Sequence, residues 1–124
     1  MGVSTGQFKA ALGHWPSGVS LVTTALDGAP AGMTVSAFFS VSLDPPLVGV
    51  CLDRRAITLG LISQSRRFAV NVLSAQQSGL SDRFSARDNE ATRFDGVALA
   101  QVEDIPLITH DRHLERYDVR IIWA

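Results

Sequence analysis

The residues best placed to do chemistry are small hydroxyls at even spacing: Thr34, Ser36, Ser40 and Ser42. From Met33 to Leu43 the sequence alternates well. In an extended strand Met33, Val35, Ala37, Phe39, Val41 and Leu43 point one way, and Thr34, Ser36, Phe38, Ser40 and Ser42 the other. By periodicity alone the hydroxyl side is a solvated strand surface, which uses Thr and Ser freely. Phe38 in its midst argues for something more. A ring among hydroxyls suits a flat ligand with polar edges, held by ring contact and hydrogen bonds. Gly32 beside it would let such a ligand approach the backbone.

Other candidates are weaker by themselves. Arg54 and Arg55 follow an apolar run and precede Thr58 at an expected helix start. A helix N-terminus with arginine nearby attracts anions, although a solvated turn with a capping threonine is the plainer account. Asn71 lies inside the apolar stretch Phe68 to Leu73, where its amide must find partners. It either ties down a loop or touches a ligand. Cys51 is the single cysteine, so no internal disulfide or thiolate metal cluster is expected, and it reads as a small core residue. His14, His110 and His113 form no metal-ligand spacing, and no catalytic triad or carboxylate pair stands out.

Composition narrows the partners. The chain has 124 residues, a size for one domain, with 46% hydrophobic and 19% charged residues, which is globular rather than disordered. A net charge of −1 gives no reason to expect nucleic acid or an anionic membrane. The sequence has no basic start leading into an apolar run and no apolar stretch of membrane-spanning length, so a cytoplasmic protein is expected.

Several elements must position these residues. A helix capped by Thr5 is expected through Leu12, with Phe8, Ala11 and Leu12 on one face. Val19 to Leu26 reads as a strand, Asp27-Gly28 as a hairpin turn, and Pro30 confines the next strand to an edge or a bulge. The alternating strand Met33 to Leu43 ends at Asp44-Pro45-Pro46, and Leu47 to Leu52 reads as a short buried strand. A helix over Ala56 to Ser63 turns Leu59 and Ile62 inward, and Phe68 to Leu73 is another strand. Ser74 caps a helix toward Phe84, with Leu80 and Phe84 as its apolar pair. Ser85 to Gly96 is polar and loop-like, Val97 to Val102 a strand, and Leu114 to Trp123 a weak last strand. The turns in the first half are too short for crossovers, which favours an antiparallel β-barrel over a doubly wound sheet. No Gly-x-Gly-x-x-Gly follows a strand, which argues against a Rossmann nucleotide site.

Taken in order, these stretches resemble the flavin reductase-like family, the FMN-binding split barrel. They are Trp15-Pro16-Ser17-Gly18-Val19 with Val22-Thr23-Thr24, then Gly32 to Phe38 with Ser40 to Pro46. Val50-Cys51-Leu52, Arg67 to Leu73, Gln76 to Phe84 and Arg93-Phe94 follow. The likeness covers roughly Phe8 to Pro106 and is strongest to the small reductase components of two-component flavin monooxygenases. It implies a mainly β, homodimeric split barrel of about six antiparallel strands with short peripheral helices. FMN or FAD would lie in a groove near the subunit interface. Thr34, Val35, Ser36, Ala37 and Phe38 would line the isoalloxazine and ribityl chain, with Ser40 or Ser42 at the edge. Cys51 and Leu52 would pass near the flavin. The turn with Arg54 and Thr58 would face its phosphate, and Asn71, Ser81 and Phe84 would close the pocket. The implied reaction is NADH- or NADPH-dependent reduction of flavin for a partner monooxygenase, which needs no protein acid or nucleophile because the cofactor supplies the chemistry.

Family members usually continue through a Leu-Glu segment, a Gly-Asp-His motif and closing strands. Leu114-Glu115 echoes the first, while Thr109-His110-Asp111 does not match the second. The barrel is therefore expected to lack its closing strands, with Leu114 to Trp123 as a substitute. Three outcomes are open: an inactive truncated relative, a short variant whose dimer partner covers the edge, or a module that binds flavin without reducing it.

Overall fold

The computed structural model describes residues 2–97 and, for its backbone, the strand Asp118–Trp123. The first helix, α1, spans Thr5–Leu12. Its N-cap is Ser4 rather than Thr5: the Ser4 hydroxyl accepts from the Gln7 backbone while the Gln7 side chain accepts from the Ser4 backbone, a reciprocal capping box. The apolar face expected on α1 forms but is not buried, with Phe8 56% and Leu12 54% exposed.

β1 (Ser20–Leu26) and β2 (Ala29–Val35) form an antiparallel hairpin. Asp27 and Gly28 both take positive φ, 51° and 80°, as a tight two-residue turn demands. β1 also pairs antiparallel with β5 (Arg67–Val72). β5 pairs in parallel with β6 (Asp118–Trp123), giving the sheet order β2-β1-β5-β6. Among the described residues β2 is thus an edge strand, where the missing N–H of Pro30 is tolerated. A second sheet holds β3 (Phe38–Ser42) and β4 (Leu47–Val50), antiparallel across Asp44-Pro45-Pro46. α2 (Ile57–Ser65) follows β4, and α3 (Ser78–Ser85) follows β5 after a single 3-10 turn at Ala75–Gln77.

The chain is mainly β with short helices, but three expectations change. The alternating run Met33 to Leu43 is not one strand. It breaks at Ser36-Ala37, and its halves belong to different sheets. The break resets which side faces inward: Phe38 packs on the core, while Phe39, Val41 and Leu43 are 50%, 56% and 92% exposed. The pairing is not wholly antiparallel, because β6 joins β5 in parallel, and the described strands form two open sheets. β4 is half-buried rather than buried, and the helix expected from Ser74 is split, with Ser74 capping only the 3-10 turn. The strand expected over Val97 to Val102 lies, beyond Val97, outside the described residues, as do His110 and His113.

The core sits between the sheets. Val22, Val35 and Val70 form its buried centre, with Met33 and Phe68 from the first sheet, Phe38, Val50 and Leu52 from the β3–β4 side, and Ile62 from α2 against it. Burying each such side chain stabilises the fold by about 1.5–3 kcal/mol.

Candidate functional site

Register decides which candidate residues can meet. Residues directly opposite in an antiparallel pair share a face. Met33, Val22 and Val70 form one row, on the core face. Thr34, Leu21 and Asn71 form the next row, on the opposite face. α2 joins the core face, where the Thr24 hydroxyl lies 2.7 Å from that of Ser65. α3 covers the other face, where the Thr34 hydroxyl donates to the Ser81 carbonyl at 2.6 Å. The predicted site is therefore divided by the four-stranded sheet.

On the α3 side lie Thr34, Asn71, Ser81 and Phe84. The Thr34 hydroxyl, the Ser81 carbonyl and the Asn71 amide nitrogen are engaged within the protein. The Asn71 amide donates to the Leu21 carbonyl (3.1 Å) and to the Thr23 hydroxyl (3.2 Å), so it ties β5 to β1. Phe84 is 1% exposed, and its ring meets Phe94 edge-on with centroids 4.9 Å apart.

On the other side the chain leaves β2 through Ser36 and Ala37, both exposed, and enters β3 at Phe38. The Ser20 hydroxyl holds the Val35 carbonyl at 2.9 Å just before the bend. The Cys51 N–H donates to the Ala37 carbonyl at 3.0 Å just after it. These bonds bring the bend beside the end of β4, where Cys51 is exposed and Leu52 half-buried on the core. Ser40 and Ser42 lie further along β3, on either side of a register shift. Val35 and Thr58 are buried, so neither offers its side chain to a ligand at the surface.

Charge collects in the next turn. Arg55 pairs with Asp53 through two contacts, at 3.3 and 3.2 Å, and its N–H also donates to the same carboxylate. The side-chain hydrogen bond from Arg55 holds the Asp53 carboxyl below its ordinary pKa. Arg54 is exposed and makes no ion pair among the described residues. The turn leads into α2, whose N-cap, Ala56, supplies no side-chain acceptor, so the first N–H groups of the helix are not capped by a side chain. An exposed arginine beside such a terminus suits an anion.

Two features escaped the sequence reading. Gly32 is buried, and a Cβ there would lie 2.8 Å from Thr23 Cγ2 and 3.2 Å from Phe94 Cζ. Its smallness serves the packing of Phe94, not the approach of a ligand. Arg93, inside a segment that reads as a polar loop, is 2% exposed and bonds β2 to the end of α3. The Arg93-Phe94 stretch in the family resemblance was the one signal that could have found it.

Among the described residues no three His, Cys, Asp or Glu side chains cluster as a metal site, and no helix is long and apolar enough to cross a membrane. Residues 12–112 match the family described as the flavin reductase like domain, and the chain belongs to that family. It is 44% identical over 91 residues to a flavin reductase of Pseudomonas putida, covering 73% of this chain and 52% of that protein. It is 39% identical over 93 residues to the reductase component of a 4-nitrophenol 4-monooxygenase/4-nitrocatechol 2-monooxygenase of Rhodococcus opacus, covering 75% and 49%. Among solved structures it resembles the NADH:FAD oxidoreductase SgcE6 of Streptomyces globisporus C-1027 in complex with NAD and FAD fragments. That likeness has a TM-score of 0.66 at 36% identity and covers 73% of this chain and 53% of the other. The chain thus spans about half the length of the curated relatives it matches.

Proposed function

We propose that this chain binds FMN or FAD at the Ser36-Ala37-Phe38 bend and takes part in its reduction by NADH or NADPH, supplying reduced flavin to a partner monooxygenase. The observation that carries the reading is the bend itself, in a chain of this family. Ser36, with its hydroxyl, and Ala37 are exposed beside Phe38, in a bend held by the Ser20 and Cys51 bonds to its two ends. These groups fit a flat ring with polar edges. Cys51 and Leu52 flank the ring, Ser40 and Ser42 extend its edge, and Arg54 at the start of α2 faces the phosphate. Thr34, Ser81 and Phe84 act from behind, by fixing β2 against α3, and Asn71 by tying β5 to β1. A bound flavin supplies hydride acceptance, so the protein's part is to hold and orient the ring and to leave room for a nicotinamide.

The assembly belongs to the same reading. Phe38, Val50 and Leu52 share one core with the four-stranded sheet, which supports closure of the two sheets into a split barrel. The exposed apolar residues Phe39, Val41 and Leu43 on β3 and its end, with Phe8, Leu12 and Trp15 near α1, support a homodimer that covers them. The test is steady-state oxidation of NADH and of NADPH with FMN, FAD and riboflavin in turn. Oxidation that depends on added flavin is expected. Bound flavin with no nicotinamide oxidation would leave a binding module without turnover.

A further inference from the structure

The turn after α3 and the end of α3 are joined by two arginines reaching in opposite directions. Arg83 on the helix donates to the Thr92 carbonyl at 2.8 Å and the Asp95 carbonyl at 2.6 Å. Arg93 on the turn donates back to the Phe84 carbonyl at 3.3 Å and the Ala86 carbonyl at 2.6 Å. Asn89 closes the loop, donating to the Arg83 carbonyl at 2.8 Å and accepting from Arg93 at 3.2 Å. Glu90 faces the same guanidinium at 3.1 Å, and the Arg93 Cζ lies 5.9 Å from the Phe84 ring centroid.

One contact leaves this cluster. Arg93 Nη1 donates to the carbonyl of Gly32 in β2 at 2.6 Å. Gly32 stands two residues before Thr34, which makes the other polar tie to α3 through Ser81. Among the described residues β2 is an edge strand, and its outer backbone takes such partners. The cation at the carbonyl end of α3 also meets the negative end of the helix dipole. A buried guanidinium with this many fixed acceptors has one geometry, and β2 is held by it just ahead of the bend.

We propose that Arg93 is a positioning residue for the flavin seat. It sets where β2 delivers the Ser36-Ala37-Phe38 bend by locking the Gly32 carbonyl to the end of α3. The inference rests on the flavin reading and adds a residue that touches no ligand. Lysine keeps the charge but cannot hold the planar fork of acceptors, so the seat loosens while the fold persists.

The experiment titrates FMN into the wild type, Arg93→Lys and Asn89→Ala, with Thr24→Val as a control, each below its melting temperature. Thr24→Val removes the part-buried contacts of that hydroxyl to the Arg67 carbonyl and the Ser65 hydroxyl, neither of which touches β2 or the bend, and lowers stability alone. The expected result is about a tenfold loss of FMN affinity in Arg93→Lys. A smaller loss is expected in Asn89→Ala, which loosens the guanidinium without removing it, and none in Thr24→Val. Wild-type binding with unchanged affinity in folded Arg93→Lys or Asn89→Ala overturns the role of Arg93 alone. Equal losses in Thr24→Val and Asn89→Ala also overturn it, since stability would then account for both. A wild type that binds no FMN overturns the flavin reading and this inference with it.

Discussion

The hydroxyl of Thr34 donates to the carbonyl of Ser81 at 2.6 Å, so two residues expected to hold a ligand hold each other. The bond joins β2 to α3 across the face opposite the core. Replacing Thr34 by valine keeps the shape and leaves the Ser81 carbonyl without this partner, at a cost of about 1 kcal/mol. Denaturant unfolding would read that loss. Flavin affinity should change far less than on substitution at Ser36, because the Thr34 hydroxyl is engaged by the Ser81 carbonyl.

Gly32 makes a sharper stability prediction. A methyl group there would press on Thr23 Cγ2, the Val22 carbonyl at 3.1 Å and Phe94 Cζ. Overpacking of this kind costs about 1–3 kcal/mol. Gly32→Ala should lower the urea midpoint with little change in slope. An unchanged midpoint would mean that Phe94 does not pack where it is described.

These positions show what was legible in the sequence and what was not. Asp27-Gly28, Pro30 and Asp44-Pro45-Pro46 fix turns and an edge through backbone constraints local to each residue, and all three were readable. The break at Ser36-Ala37 was not, because the alternation resumes past it, and Phe38 on the hydroxyl side was read as a ligand contact rather than as a change of sheet. For the same reason Phe39, Val41 and Leu43 read as core and are exposed. Ser36 to Phe38 and the Asp53 turn were named as candidates from hydroxyls around a ring, from charges and from the family resemblance, without the bend between the sheets. The division of that site by the sheet depends on pairing register, which sequence alone does not carry. Arg93 was hidden by a sound rule, since arginine in a polar stretch is ordinarily solvated.

The apolar residues left outside predict an assembly. Leu43 is 92% exposed at the end of β3. Leu43→Asp would place a charge in any interface formed there, and sedimentation should show a dimer shifting toward monomer. Identical sedimentation of the two proteins would move the interface elsewhere.

The Asp53–Arg55 pair predicts a small pH effect with a definite sign. The carboxyl is held below its ordinary value, chiefly by the Arg55 side chain. Its contribution is therefore present above the ordinary carboxylate pKa and fades as pH falls through the lowered value. The pair is exposed, so Asp53→Asn should melt only slightly below the wild type at neutral pH, and the difference should vanish in strong acid. A large gap at neutral pH, or one that grows on acidification, would contradict the assignment.

Arg54 tests the phosphate end of the site. Arg54→Ala should weaken FMN severalfold and leave riboflavin, which lacks the phosphate, unaffected. Parallel fluorescence titrations of the two ligands separate the cases. Equal losses would remove the phosphate from the start of α2.

The central claim is the seat itself, at an exposed bend whose two ends are pinned by Ser20 and Cys51. The most direct measurement is FMN titration of the wild type against Ser36→Trp, with circular dichroism to confirm that both are folded. The account predicts saturable binding by the wild type and none by the variant, because the indole fills the space beside Phe38. Equal affinity in two folded proteins would contradict it.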